Sequence, residues 1–257
     1  MSNLRGSRAL VTAGAQGIGL AISRRLLLAG CDLVVHYHRS GDGARELAAE
    51  AAAAGRRLLA ISADLTSTEE CDRLVREAAA FLGGLDVLVN NAGSLIARRS
   101  LAEADDDFWA ETMSLNLGSL RRVTRAAVPH LAAAVPARGG ASIVNLASLA
   151  GRKGGHNGSL AYATAKGAVL TFTRALATEL GPQGIRVNAL APGLILGTSF
   201  HNTHTTPESA RATVAGIPLG RAGNADDVAR AVAFLAGEFD GFITGATLDI
   251  NGGVYSA

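Results

Sequence analysis

The hydrophobic positions of this chain fall into short continuous runs separated by longer stretches with helical spacing. RALVTA (residues 8–13) is such a run. A glycine-rich turn follows, then IGLAISRRLLLAG, whose apolar spacing is helical and which ends on Gly30. CDLVVHY (31–37) predicts a second strand, GARELAAEAAAAG (43–55) a helix, and RLLAISADL (57–65) a third strand. STEECDRLVREAAAFLGG (67–84) reads as a helix opened by Ser67, with Glu70 three residues on in a capping-box pattern. LDVLVNNAG (85–93) predicts a fourth strand running into a turn. A long helix over about 105–132, a strand ASIVNLAS (141–148), a second long helix over about 160–181 and a strand IRVNALAPG (185–193) follow. The chain closes with DDVARAVAFLAG as a helix and ATLDING as a strand.

Alternation of this length predicts an α/β fold: a single Rossmann-type, doubly wound parallel sheet of about seven strands, flanked by helices on both faces. The strands are continuous apolar runs, as strands buried on both faces should be. No repeat, low-complexity segment or linker divides residues 1–257, which therefore read as one domain. GTSFHNTHTTPESARATVAGIP (197–218) breaks the regularity. It is polar, longer than a usual connection, and expected at the C-terminal edge of the sheet as a lid over the substrate.

Composition narrows the classes. Of 257 residues 48% are hydrophobic and 4% aromatic, so a large core built mostly from Ala, Leu, Val and Ile is expected. A net charge of +2, with no Lys/Arg run longer than two, argues against a nucleic-acid partner. No window predicts a membrane span, and MSNLRGSRAL lacks the apolar core of a signal peptide. Cys31 and Cys71 are too far apart in sequence for a CxxC site, and two reduced thiols in a cytoplasmic protein are expected. His201 and His204 lie three apart with no third ligand, so no metal is expected.

The first candidate chemistry lies in VTAGAQGIGLA. Gly14, Gly17 and Gly19 join the first strand to the first helix, where glycine lets backbone N–H groups approach a pyrophosphate. The positive end of the helix then faces the anion. NAD-binding folds usually place an acid about 20 residues further on, to hold the ribose 2′-hydroxyl. Here VVHYHRSGD puts His38, Arg39 and Ser40 there instead. A guanidinium beside a hydroxyl suits a 2′-phosphate, so NADPH is expected in preference to NADH.

The second lies in SLAYATAKGAV (159–169). Tyr162 and Lys166 are four apart on a predicted helix and so share a face. Around them, TAGAQGIG, NNAG (90–93), LNLGS (115–119), NLAS (145–148), YATAK (162–166) and APG (191–193) occur in the order found in the short-chain dehydrogenase/reductase family. PLGRAGNADDVARAVAFLAG and FITGATLDINGG are similar to that family's C-terminal signature, and the resemblance runs from about residue 5 to 253. It implies a catalytic group of four. Ser148 would hydrogen-bond the substrate carbonyl, and Tyr162 would give its proton to that oxygen. Lys166 would hold the nicotinamide ribose and lower the tyrosine pKa, and Asn116 would hold a water in the proton relay. A free tyrosine titrates near ~10, and a nearby ammonium would bring it toward the working range.

The resemblance also implies cofactor contacts at Gly14, Gln16, Gly17, Ile18, Gly19, His38, Arg39, Ser40, Asp64, Leu65, Asn91, Ala92 and Gly93. Tyr162, Lys166, Pro192, Gly193, Ile195 and Thr198 complete that set, and Asn90 would support the ribose side while tying two strands together. Two departures stand out: Ala13 replaces the family's usual glycine, with Gly14 expected to supply the lost backbone freedom, and Asn251 replaces a usual aspartate. HYHRS is similar to the cofactor loop of pteridine reductases, which supports NADPH.

Substrate contacts are expected at Ser94, Ser148, His156, Asn157, Tyr162, Leu194 and Phe200, with Leu95, Leu149 and Leu196 nearby. This largely apolar set suits a medium-sized ketone. Arg152 and Lys153 stand either as a seat for a thioester phosphate or as a solvated basic turn. The reading is an NADPH-dependent reductase of a small carbonyl substrate, most similar to 3-oxoacyl-acyl-carrier-protein reductases. Alternatives are an alcohol or sugar dehydrogenase working oxidatively and a non-catalytic nucleotide-bound regulator. The family's pairing of long helices implies a homotetramer.

Overall fold

The computed structural model describes residues 4–198, 206–237 and 241–256. Seven strands form one parallel sheet: β1 (Arg8–Val11), β2 (Asp32–Tyr37), β3 (Leu58–Ser62), β4 (Val87–Asn90), β5 (Ala141–Leu146), β6 (Ile185–Pro192) and β7 (Thr247–Ile250). Their spatial order is β3-β2-β1-β4-β5-β6-β7, so the winding reverses between β1 and β4. A crevice opens at such a reversal, beyond the carboxyl ends of the strands.

Side chains alternate across the sheet with period two. Ala9, Val11, Leu33, Val35, Val87 and Val89 join one core cluster with Ile22 and Leu26 of α1 (Gly17–Leu28), Leu47 of α2 (Asp42–Ala53) and Val228 and Val232 of α9 (Ala225–Gly237). Leu10, Val34, Leu88 and Ile143 face the other way. They meet Leu74 of α3 (Thr68–Leu82), Val123 and Leu131 of α5 (Ser119–Arg138) and Leu180 of α7 (Leu160–Leu180). Both faces of every central strand are thus apolar, which is why the strands read as unbroken hydrophobic runs.

Several boundaries differ from expectation. The helix expected over 105–132 is three pieces: α4 (Asp106–Met113), a π-helical turn (Ser114–Gly118), and α5, which runs on to Arg138 through Pro129 and Pro136. Gly139, at φ 81°, closes it by donating its N–H to the Val135 carbonyl. A short α6 (Leu149–Lys153) follows β5, capped by Ser148, whose Oγ accepts the Ala150 N–H at 3.1 Å. The expected Ser67 cap is present: its Oγ accepts the Glu70 N–H at 3.2 Å. Within the 197–218 stretch, α8 (Pro207–Ala215) is a helix capped by Thr206. Phe200, His201 and His204 lie outside the described residues. Among the described residues no helix is long and apolar enough to cross a membrane.

Candidate active site

A cavity of about 680 Å³ opens where β1, β4, β5 and β6 end. The β1 turn supplies Ala13, Gln16, Gly17, Ile18 and Gly19, and the β4 end supplies Asn91 and Gly93. Ser148 comes from the β5 end, and Pro192, Gly193, Leu194, Ile195 and Thr198 come from the β6 end. Helix α7 brings in Tyr162 and Lys166 from one side, and α8 closes another with Ser209, Ala212 and Thr213. Four strand ends and two helices, remote in sequence, therefore converge at the reversal point.

The glycine turn is shaped for close approach. A Cβ on Gly19 would lie 2.0 Å from the Ala13 carbonyl oxygen and 2.6 Å from Asn91 Nδ2. Helix α1 begins with no side-chain cap and no acid in its first turn, so its leading N–H groups remain for an anion. This arrangement fits a dinucleotide pyrophosphate. The expectation about Ala13 needs correction. Ala13 itself takes φ 48°, whereas Gly14 stays outside the left-handed region, packed so that a Cβ would sit 2.8 Å from Ser23 Oγ. A left-handed alanine costs about 1–3 kcal/mol. It is held by the His36 ring, which accepts its N–H at 2.9 Å, and by Asn91 Nδ2, 3.2 Å from its carbonyl. Thr12 Oγ1 steadies the facing loop by accepting the Asn91 and Ala92 N–H groups at 2.9 and 3.0 Å.

The four predicted catalytic residues are brought to one end of the cleft, although Asn116 stands behind it. Tyr162 and Ser148 are hydrogen-bonded through their side chains. Lys166, 4% exposed, donates from Nζ to the Leu146 carbonyl at 2.8 Å. Asn116 sits in the π-helical turn, where the local extra residue turns its amide toward the β4 loop. Its Nδ2 donates to the Ser94 and Thr112 carbonyls at 2.9 and 3.0 Å, and its Oδ1 accepts the Ser94 N–H at 3.0 Å. Ser94, expected at the substrate, is thus the residue whose backbone anchors Asn116.

Burial pushes the Tyr162 phenol up to about 12, against a smaller opposing effect of the Ser148 hydrogen bond. Lys166 Nζ stands 5.9 Å from the Tyr162 ring centroid. Its own pKa falls to about 8 through burial. The chain's own groups therefore hold Tyr162 protonated, the form that gives a proton to a developing alkoxide.

Other predicted positions do not line the cavity. Asn157 offers its carbonyl to Arg98 at 3.1 Å. Asp64 accepts the Thr66 N–H and hydroxyl at 2.8 and 2.7 Å, which lowers its pKa, and Leu65 is buried beside it. His38, Arg39 and Ser40 are exposed beyond the end of β2, where Ser40 Oγ donates to Asp42 at 3.0 Å. Arg152 is not a phosphate seat: it pairs with Asp249 at 3.0 and 3.1 Å and lies over the Tyr255 ring. Lys153 does line the cavity and is exposed. Sequence reasoning missed Arg98, Ser159, Ser209, Thr213 and Val254, which come from loops and α8 with no local signature. Thr198 is buried and faces the turn, 3.7 Å from where a Cβ on Gly17 would sit.

A glycine turn shaped for a pyrophosphate and a tyrosine proton donor, lining one cavity at the sheet's reversal point, make the working arrangement of an NAD(P)H-dependent oxidoreductase acting on CH–OH and C=O groups. Known proteins agree. A family profile described as enoyl-(acyl carrier protein) reductase matches residues 12–255. The chain is 37% identical over 254 residues to the 3-oxoacyl-acyl-carrier-protein reductase FabG of Pseudomonas aeruginosa, covering 98% of this chain and 99% of that one. An NADH-dependent reductase, A1-R′, responsible for alginate metabolism, superposes with a TM-score of 0.91 at 33% identity and covers 100% of both chains. A blue fluorescent protein from a metagenomic library, solved with NADPH, superposes at 0.90 with 36% identity, covering 99% of this chain and 100% of its own. The chain belongs to the short-chain dehydrogenase/reductase family.

Proposed function

We propose that the protein reduces a medium-sized ketone, of 3-oxoacyl type or similar, with NADPH. One observation carries this reading: Tyr162, hydrogen-bonded to Ser148, lines the cavity together with Lys166. When bound, the nicotinamide supplies the hydride. Ser148 hydrogen-bonds the carbonyl oxygen and Tyr162 delivers its proton to that oxygen as negative charge develops there. Lys166 holds the nicotinamide ribose, and Asn116 holds the loop at Ser94 in place and serves the proton path. Helix α8, which lines the cavity with Ser209, Ala212 and Thr213, acts as a lid over the substrate.

The cavity lining among the described residues contains no carboxylate, whereas Arg98, Lys153, Lys166 and His156 all line it. Such a lining favours an anionic cofactor and an acyl thioester or other substrate with an acidic group. Leu95, Leu149 and Leu194 supply the apolar part.

The choice of NADPH rests on Arg39 and Ser40 standing where an acid would select NADH. Arg39→Asp is expected to weaken NADPH by roughly ten- to a hundredfold, the loss of a charge-assisted bond to phosphate, and to leave NADH binding intact. Cofactor-fluorescence titration checks this. Indifference of both affinities to the substitution would favour the oxidative, NAD-using reading.

The assembly proposed is a homotetramer through the faces of α5 and α7. Sedimentation at micromolar concentration is expected to give about four times the 26.1 kDa chain mass. A monomer would overturn it.

A further inference from the structure

His36 of β2 is 2% exposed in a strand whose neighbours Leu33, Val34 and Val35 are apolar and fully buried. An imidazole in such a place needs partners, and both it finds are backbone groups. Nδ1 accepts the Ala13 N–H at 2.9 Å, and Nε2 donates to the Ala63 carbonyl at 2.9 Å. An accepting Nδ1 leaves the proton on Nε2, which assigns the neutral tautomer. Burial keeps the ring neutral by holding its pKa below the ordinary value. The main chain at His36 adds a third tie, its carbonyl accepting the Gly14 N–H at 2.9 Å.

The turn these bonds grip is the one that fits the pyrophosphate. Among the described residues, His36 Nδ1 is the partner of the Ala13 N–H, and Ala13 is the non-glycine residue held at φ 48°. Its carbonyl has almost no room to move, because Gly19 packs against it at the start of α1. A rotation of the Ala13 peptide would therefore displace the first turn of α1. At its other end the ring holds Ala63, the residue before Asp64 in the loop after β3.

We propose that His36 is a positioning residue for the dinucleotide: its neutral imidazole fixes Ala13 in the left-handed turn and locks that turn to the loop after β3. The inference rests on the reading of the turn as the cofactor's phosphate seat. It also accounts for how this chain works with alanine where its family usually has glycine. The ring supplies by a hydrogen bond the conformation that glycine would adopt unaided.

Two isosteres separate the role from mere core filling. The amide oxygen of asparagine reaches the Nδ1 position and keeps the Ala13 bond, while glutamine reaches the Nε2 position and keeps only the Ala63 bond. In His36→Asn, the dissociation constant and KM for NADPH are expected to stay within about threefold of the unmodified protein. In His36→Gln both are expected to rise about tenfold, as for one buried donor left unpaired, with kcat at saturating cofactor within about twofold. Adding Ala13→Gly to His36→Gln is expected to recover most of that loss. Equal affinity in the two single variants, or a parallel fall of kcat in both, overturns the proposal. In the unmodified protein, long-range proton–nitrogen spectra of the imidazole are expected to show the Nε2–H tautomer and an Nδ1 resonance that shifts on adding NADPH. An Nδ1–H tautomer overturns it even if the variants do not fold. If the unmodified protein binds neither NADPH nor NADH, the reading of the turn itself falls, and the proposal with it.

Discussion

Tyr162→Phe is expected to lower kcat for ketone reduction by about 10³-fold, within the range attributed to one positioned general acid, while the KM for cofactor changes by less than about threefold. The substitution removes a hydroxyl and keeps the ring, so packing against α7's neighbours persists. What disappears is the proton donor hydrogen-bonded to Ser148. The pH dependence gives a second check with a definite sign. Tyr162, pushed up to about 12, stays protonated throughout the neutral range, so its ionisation does not limit reduction there. Lys166, lowered to about 8, loses its charge first as pH rises. The KM for cofactor in reduction is therefore expected to be level below that value and to rise as pH passes through about 8, where Lys166, the proposed ribose partner, loses its charge, while the reverse oxidation, which needs tyrosinate, rises with pH. Steady-state profiles in both directions measure this. A Phe variant retaining a tenth or more of the activity would remove Tyr162 from the chemistry.

The central strands were legible because they are buried on both faces. Runs such as LVV in β2 and SIV in β5 have no polar side to confuse them with amphipathic helix. The glycine turn and the Tyr162–Lys166 pair were legible for a related reason: each lies within one short segment whose spacing fixes its geometry. What escaped was decided across long separations. Nothing in LNLGS announces a π-helical turn; that turn exists where Asn116 meets Ser94, 22 residues away. Arg152 looked free at the mouth until Asp249, 97 residues on, was seen to hold it. Ala13 looked like a weakness in the turn because its compensation comes from His36 on the next strand. The short α6 was missed although Ser148 is an N-cap residue type, since the same serine was being read for its chemistry alone.

Gly93→Ala is expected to cost about 10²-fold in kcat, the scale on which a misplacement of about 1 Å acts. A Cβ here would fall 2.7 Å from Asn116 Oδ1 and 3.0 Å from Lys166 Nζ. Neither can yield freely. Asn116 is fully buried with three hydrogen bonds, and the Lys166 ammonium is fixed on the Leu146 carbonyl at 2.8 Å. The methyl must therefore displace the amide, the ammonium or the β4 loop itself. Overpacking of this kind costs about 1–3 kcal/mol, so the melting temperature is expected to fall by several degrees, unlike that of Tyr162→Phe. Measuring kcat, cofactor KM and melting temperature together distinguishes the outcomes. Lost stability with unchanged kcat would mean that the positions of Asn116 and Lys166 do not govern the reaction. Lost kcat with near-normal cofactor binding would place both at the reacting end of the cleft.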